Sequence, residues 1–280
     1  MLRAIKIHWM SIIRSILIAM GVLWLPIEAY EGLNNTNLML PFYCFLILSL
    51  IAGIIFFVVD GYFLAGFFKS RVEITGNGFD TKIFIKFDDL FSQDGWKAIG
   101  ANDFFDSIVD DDLVSSKSLH GHVINTYWSN KREEWQNQID TSLAKAPKTE
   151  VERNKGNLKR YPIGTTAIAT TDNQKMLFVA LGETDTGNNV TKATAESLIC
   201  ALRGLLQKAR EVCANDPLYI PLMGSGLGRV GIKNAILVDL ILVAIVEETK
   251  QSKITNAITI ILPIEKKPEI NLGNFSRDWN

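Results

Sequence analysis

Leu218-Tyr219-Ile220-Pro221-Leu222-Met223-Gly224-Ser225-Gly226-Leu227-Gly228-Arg229 is a short apolar run that ends in a glycine-rich turn. An apolar pattern of helical period, Ile232 to Val246, follows it. Glycines let a backbone turn sharply and remove the Cβ atoms that would hold a ligand away. Exposed N–H groups in such a turn, with a helix N-terminus behind them, favour negative charge, so the tract predicts a cradle for a phosphate or pyrophosphate. No Lys-Ser/Thr follows, which excludes a Walker loop, and the third glycine is misplaced for a full dinucleotide fingerprint. A strand–glycine–helix turn with a purely structural duty is the competing reading.

The other end of the chain reads as a membrane anchor. Leu38 to Val59 is a run of 22 residues without a charge, long enough as a helix to cross a hydrocarbon core of roughly 30 Å. Upstream, Ser15 to Ile27 is a shorter apolar segment flanked by Trp9 and Arg14 on one side and Glu28 on the other. Arg14 must then snorkel or face a partner helix. Arg3, Lys6 and a short apolar core also fit a cleaved signal peptide, but a second span arriving so soon favours a helical hairpin. Arg3, Lys6 and Arg14 precede the first span, Lys69 and Arg71 follow the second, and the loop from Glu28 to Asn37 holds no Lys or Arg. The positive-inside rule then puts both termini in the cytoplasm of a two-span protein. The expected organisation is a hairpin over residues 1–69 and a cytosolic domain over residues 70–280.

From Ser70 onward, 25 Lys and Arg stand against 27 Asp and Glu. This balance gives no footprint for a nucleic-acid partner. Cys44 lies in the second span, and the spacing of Cys200 and Cys213 fits no zinc site, so both read as core residues. Strand patterns occupy Val72–Ile74, Lys82–Phe87, Trp96–Ile99, Thr166–Thr170, Met176–Leu181, Leu218–Leu222 and Ala257–Leu262, and helical patterns Asn125–Leu143, Thr191–Cys213 and Ile232–Lys250. The alternation of strand and helix predicts an α/β domain with a mixed sheet flanked by helices, its ligand at loops beyond the carboxyl ends of strands. The polar stretch Ala146–Arg160 reads as an exposed loop or insertion.

Three segments, in order, resemble a macro domain, the α/β module that binds ADP-ribose and related nucleotides. Phe87-Asp88-Asp89-Leu90-Phe91 resembles the family's Gly-Asp-Ile-Thr/Phe stretch, Ala98-Ile99-Gly100-Ala101-Asn102 its Val-Asn-Ala-Ala-Asn strand end, and Pro221 to Gly228 its phosphate loop. A hairpin fused to such a domain is similar to the membrane-anchored macro effectors of bacterial Thoeris anti-phage systems. That resemblance implies an inner-membrane protein that senses an ADP-ribose derivative, histidine-conjugated, made by a partner TIR-domain enzyme. It further implies assembly as a homo-oligomer and damage to membrane lipid, with no cofactor. Carried over by position, Asp89, with Leu90 beside it, would meet the adenine, Asp89 accepting from the exocyclic amine. Asn102 would contact the distal ribose through its amide. Gly224, Ser225, Gly226, Leu227 and Gly228 would wrap the diphosphate, with Arg229 adding a charge-assisted contact. Asp88 stands where the family has Gly, Ile99 replaces an Asn, and the family's paired glycines become His120-Gly121-His122-Val123. Those changes alter the end where hydrolytic members place water and favour a receptor without catalytic residues over the alternative, a membrane-tethered ADP-ribosyl hydrolase.

Other features have plainer readings. His120 and His122, an i, i+2 pair without a clear third ligand, read as a solvated loop or as contacts to the ligand's distal group rather than as metal ligands. Asp103, Asp106, Asp110, Asp111 and Asp112 read as a solvated face. Glu183 and Asp185 read as loop carboxylates or an acid/base pair. Asp60 sits beside Gly61 at the cytoplasmic end of the second span, facing water or a helix interface. Trp128 and Trp135 read as the packed face of an amphipathic helix.

Overall fold

The computed structural model describes residues 2–34, 41–76, 78, 80–226 and 230–280, with the backbone alone for residues 2–8. Its chain divides into two compact units, residues 1–72 with 271–278, and residues 73–270 with 279–280.

In the first unit, α1 (Leu2–Asn34) packs against α2 (Phe42–Val59), which continues as a π-helical turn over Asp60–Leu64. The sequence placed the second span from Leu38; residues 38–40 lie outside the described residues. Both helices are long and apolar enough to cross a membrane. Their burial pattern is the reverse of a water-soluble hairpin. Small or polar Ser15, Ala19, Ser49 and Gly53 fill the seam, while Leu17, Val22, Leu25, Ile47 and Ile55 point outward. Small residues let two helices approach closely where lipid, not water, surrounds them. Arg14 faces α2, its Nη2 3.3 Å from Asp60 Oδ2. Asp60 is accordingly buried and does not face water.

The second unit carries the sheet. In chain order its elements are β1 (Arg71–Ile74, which begins in the first unit), β2 (Lys82–Phe87), β3 (Trp96–Asn102), α3 (Leu119–Tyr127), α4 (Arg132–Ser142), β4 (Thr149–Glu150), β5 (Lys159–Arg160), β6 (Thr166–Thr171), β7 (Gln174–Thr184), β8 (Thr191–Lys192), α5 (Ala195–Val212), β9 (Leu218–Pro221), α6 (Asn234–Gln251) and β10 (Ala257–Leu262). A last helix, α7 (Leu272–Trp279), closes the chain. Among the described residues the sheet order is β1-β2-β10-β9-β3-β7-β6, with β8 paired to β7. From β2 across to β7 each neighbouring pair is parallel, while β6 and β8 run antiparallel to β7. Parallel strands covered on both faces read as continuous apolar runs. β10 reads that way, whereas β2 alternates, with Ile83, Ile85 and Phe87 buried and Lys82 exposed; both begin and end where the sequence places them.

β7 shows the layering. Met176, Phe178 and Ala180 enter one core with α3 and α4, while Leu177 and Val179, also fully buried, alternate to the face covered by α5. On that second face α5 and α6 pack together, and the buried Glu248 of α6 pairs with the more exposed Arg203 and Arg210 of α5.

Four sequence expectations change here. The single helix Asn125–Leu143 is two helices, and the first begins at Leu119, so His120, Gly121 and His122 lie in α3 and not in a loop. Trp128 caps the first helix and Trp135 lies in the second, and both rings pack on Phe178, at 6.3 and 5.2 Å. The stretch Ala146–Arg160 is not wholly exposed: it carries the β4–β5 hairpin and delivers Arg153, whose side chain is 1% exposed. The acidic run is not one solvated face, because Asp103 and Asp106 are buried, against Arg160 and Arg153 respectively. Cys213 is buried as expected, but Cys200 is exposed.

Candidate functional site: a cleft at the carboxyl edge of the sheet

Five adjacent parallel strands present their carboxyl ends along one edge, and the residues there line a cleft of about 490 Å³. Residues 88–91 come from the loop after β2, Gly100 and Leu181 from the ends of β3 and β7, residues 222–226 from the loop after β9, and residues 263–265 from the loop after β10.

The glycine-rich turn forms one wall. Met223 N–H donates to Pro221 O at 2.7 Å, Ser225 Oγ donates to Leu222 O at 2.7 Å, and Val230 N–H returns to Gly224 O at 3.1 Å. Gly224 has φ +81°, and a Cβ there would lie 2.8 Å from Val230 Cγ2, so the position requires glycine twice over. Among the described residues the N–H groups of Gly224, Ser225 and Gly226 have no acceptor within the protein. Three consecutive unpaired amides at a cavity wall form an anion-binding concavity. Leu227, Gly228 and Arg229, which the sequence also assigned to the ligand, lie outside the described residues. α6 begins only at Asn234, eight residues beyond Gly226. The helix N-terminus at this cleft belongs instead to α3, whose Ser118 caps it by accepting from Gly121 N–H at 3.0 Å, with Lys117, Ser118 and Leu119 lining the wall. Gly121 permits that placement, since a Cβ there would lie 2.2 Å from Ser115 O.

Asp89 also lines the cleft and is exposed, with one carboxylate oxygen accepting from Phe91 N–H at 3.2 Å and the other without a partner among the described residues. Its neighbour Asp88 is paired with Lys86, which holds the Asp88 carboxyl below its ordinary range. Leu90 is buried and also lines the cleft. Phe91, not singled out from the sequence, lines it as well, with its ring 5.5 Å from that of His122 and 5.8 Å from Tyr127. Ile264 is 63% exposed at the same mouth and offers an aliphatic face.

Past Gly100, Ser118 and Leu181, which border both, a second cavity of about 390 Å³ extends inward, lined by Asn102, Asp111, Asp112, His120 and Asn189 among others. Asn102 follows a register shift at the end of β3. Its Nδ2 donates to Asp106 Oδ2 at 2.9 Å and its Oδ1 accepts from Asp106 N–H at 3.1 Å. One N–H and one lone pair of the amide remain for a ligand. His120 is buried against Trp135 and Phe178, and burial keeps the imidazole neutral, with its pKa brought down to about 3. Its Nε2 has no partner among the described residues.

The structure therefore brings Asp89, Leu90, Gly224, Ser225 and Gly226 to the outer cleft, and Asn102 and His120 to the inner cavity. It leaves His122 exposed and outside both. Glu183 and Asp185 line a separate surface groove, and Asp185 accepts from Gly187 N–H in its own turn. No group of three or more metal-ligating side chains occurs among the described residues. Phe91, Ser118 and the loop after β10 were the contributors missed. Their signal is positional: each follows, or packs beside, the carboxyl end of a parallel strand.

A family model described as "Thoeris protein ThsA, Macro domain" matches residues 83–263. The Thoeris protein ThsA of Bacillus amyloliquefaciens (strain Y2) is 26% identical over 192 residues, covering 66% of this chain and 61% of that protein. The match thus spans less than two thirds of that relative's length. Among solved structures, a mutant Oceanobacillus iheyensis macrodomain superposes with TM-score 0.51 at 11% identity, covering 75% of this chain and 97% of its own. The Oceanobacillus iheyensis macrodomain with ADP gives 0.50 at the same identity and coverage. At that identity the likeness is one of fold alone.

Proposed function

Because this chain belongs to the Thoeris ThsA macro-domain family, we propose that it is a membrane-anchored receptor whose cleft binds an ADP-ribose derivative and whose hairpin responds by assembling and damaging the membrane. The amides of Gly224, Ser225 and Gly226, unpaired among the described residues and lining the same cleft as Asp89, carry this reading. In it the amides wrap the diphosphate and Asp89 accepts from the adenine amine. Phe91 and Ile264 cover the base, and Asn102 meets the distal ribose at the entrance to the inner cavity. The group beyond that ribose, histidine in the proposed signal, occupies the inner cavity. A TIR-domain enzyme supplies the signal, and a second copy of this chain is the assembly partner.

Near-complete switching of an assembly equilibrium, from about 1:99 to 99:1, needs roughly 5.5 kcal/mol of differential affinity. A ligand with a base, two sugars and two phosphates has enough contacts to supply that over several subunits. The test is calorimetric titration of the full chain in nanodiscs with ADP-ribose and its histidine conjugate, beside dye leakage from vesicles holding the protein. Binding coupled to leakage is expected; heat-silent titrations with both ligands would remove the reading.

A further inference from the structure

We propose that Arg153 is a positioning residue that sets the selectivity of the inner cavity by holding two segments of its wall in one geometry. The inference rests on the cleft being a nucleotide site, but not on the identity of the terminal group.

The stretch that carries Arg153 looks solvated in the sequence, yet the guanidinium is fully buried beneath the cavity. It is stacked on the Phe104 ring, with Cζ 4.3 Å from the centroid. Nη1 donates to Asp106 Oδ2 at 2.9 Å, the same oxygen that receives the Asn102 amide. Nη2 donates to Asn189 Oδ1 at 2.8 Å. Asn102 stands at the end of β3 and Asn189 in the turn between β7 and β8, and both line the inner cavity. Asn189 then donates its own Nδ2 to Asp112 Oδ1 at 3.2 Å, a third lining residue. One side chain therefore fixes the rotamer of Asn189, and through it that of Asp112, and ties both to the Asp106 carboxylate on which Asn102 is anchored.

Only a planar fork with two donors diverging from one carbon can do this; an ammonium is a point charge and serves one segment at a time. Asp106 is held from the other side by Asn157 N–H, which donates to its Oδ1 at 2.7 Å. Losing the guanidinium therefore removes the link between the two segments without removing Asp106 from its place. A ligand that stops at its second phosphate is bound by the glycine turn and does not meet this device. A ligand that adds the distal ribose does.

The experiment uses the full chain in nanodiscs, titrated with ADP and with ADP-ribose. Arg153→Lys should leave ADP affinity within threefold of the wild type while ADP-ribose affinity falls at least tenfold. Asn189→Gly cuts one arm at a half-exposed residue whose φ of +56° glycine adopts freely. It should lower the preference for ADP-ribose in the same direction, even if Arg153→Lys fails to fold. Combining the two should cost no more than Arg153→Lys alone. Equal loss of both ligands, or an unchanged ratio in both variants, would mean that the cluster only supports the fold and would overturn the proposal. A wild type that binds ADP but gains nothing from the ribose would also overturn it. A wild type that binds neither ligand would sink the reading of the cleft itself.

Discussion

Placing a carboxylate in the glycine turn isolates the electrostatic core of the proposed site. Among the described residues no heavy atom lies within 4 Å of a Cβ built on Gly226, and its φ is outside the positive range that penalises side chains. Gly226→Glu should therefore fold as the wild type does, with its side chain free to enter the cleft. A carboxylate about 4 Å from one phosphate charge opposes it by about 4 kcal/mol at an effective dielectric of about 20. Screening at physiological salt, with a Debye length of about 8 Å, reduces this to roughly 2.4 kcal/mol. That corresponds to a loss of about 60-fold in affinity for ADP-ribose, and the second phosphate makes it a lower bound. Gly226→Ala keeps the amide and adds only a methyl group to open space, so its affinity should stay within about threefold. Raising the salt to about 1 M, where the Debye length is about 3 Å, should narrow the gap between the Glu variant and the wild type. Calorimetry on the three proteins, with thermal melts to confirm equal folding, gives the answer. A folded Gly226→Glu protein that binds ADP-ribose as well as the wild type would refute the placement of the diphosphate.

The remaining expectations concern the fold and the anchor. His120 has its folded pKa lowered to about 3 from an ordinary 6.5, so the unfolded chain takes up the proton first and the group costs stability as pH falls from 6.5 towards 3. The loss from this residue is about 1.4 kcal/mol between pH 7.5 and 5.5. His120→Leu should lose that much less in urea unfolding at the two pH values, and an identical loss in both proteins would count against a buried neutral imidazole. In the hairpin, Arg14 is 63% exposed while Asp60 is 8% exposed, so Arg14→Ala, which strands the buried carboxylate, should destabilise by about 3 kcal/mol or more. Asp60→Ala, which leaves a cation able to reach solvent, should cost about 1 kcal/mol or less. Detergent unfolding with equal losses for the two would contradict that asymmetry. Gly121→Ala places a Cβ 2.2 Å from Ser115 O and should cost about 1–3 kcal/mol, with weaker ADP-ribose binding as the α3 N-terminus shifts; a melt unchanged from the wild type would show that the segment yields freely.

What the sequence disclosed divides along the range of the interactions involved. β10 is an apolar run buried along nearly its whole length and β2 alternates buried Ile83, Ile85 and Phe87, and both are bounded by turn residues, so a local pattern was enough to mark their ends. The glycine turn was legible because its chemistry lies in consecutive backbone groups. The break between α3 and α4 was not. The residues from Trp128 to Lys131 carry no glycine or proline to mark the bend, and the ring on which both tryptophans pack, Phe178, lies fifty positions beyond Trp128. Asp106 and Arg153 were hidden for the same reason. Each is a surface residue by type, and each is buried only because the other arrives from 47 positions along the chain. Asp89 and Asn102 were placed by resemblance, not by physics; nothing local distinguishes Asp89 from Asp88 until their partners are visible.

The two cavities differ in what determines their shape, and that difference bears on recognition. The outer cleft is built mainly from main-chain amides and loop ends whose positions follow from strand order, so most of its geometry is fixed once the parallel sheet forms. A fold shared at 11% identity retains that edge whatever side chains clothe it. The inner cavity depends on Asn102, Asn189, Asp112 and His120, three of them linked through one buried guanidinium and its carboxylate partner. In the proposed site a nucleoside diphosphate would therefore meet a surface set by topology, whereas the group beyond it would meet one set by side chains. Selectivity for one modified ADP-ribose over another must then reside past Asn102, where substitution can alter the cavity without disturbing the sheet.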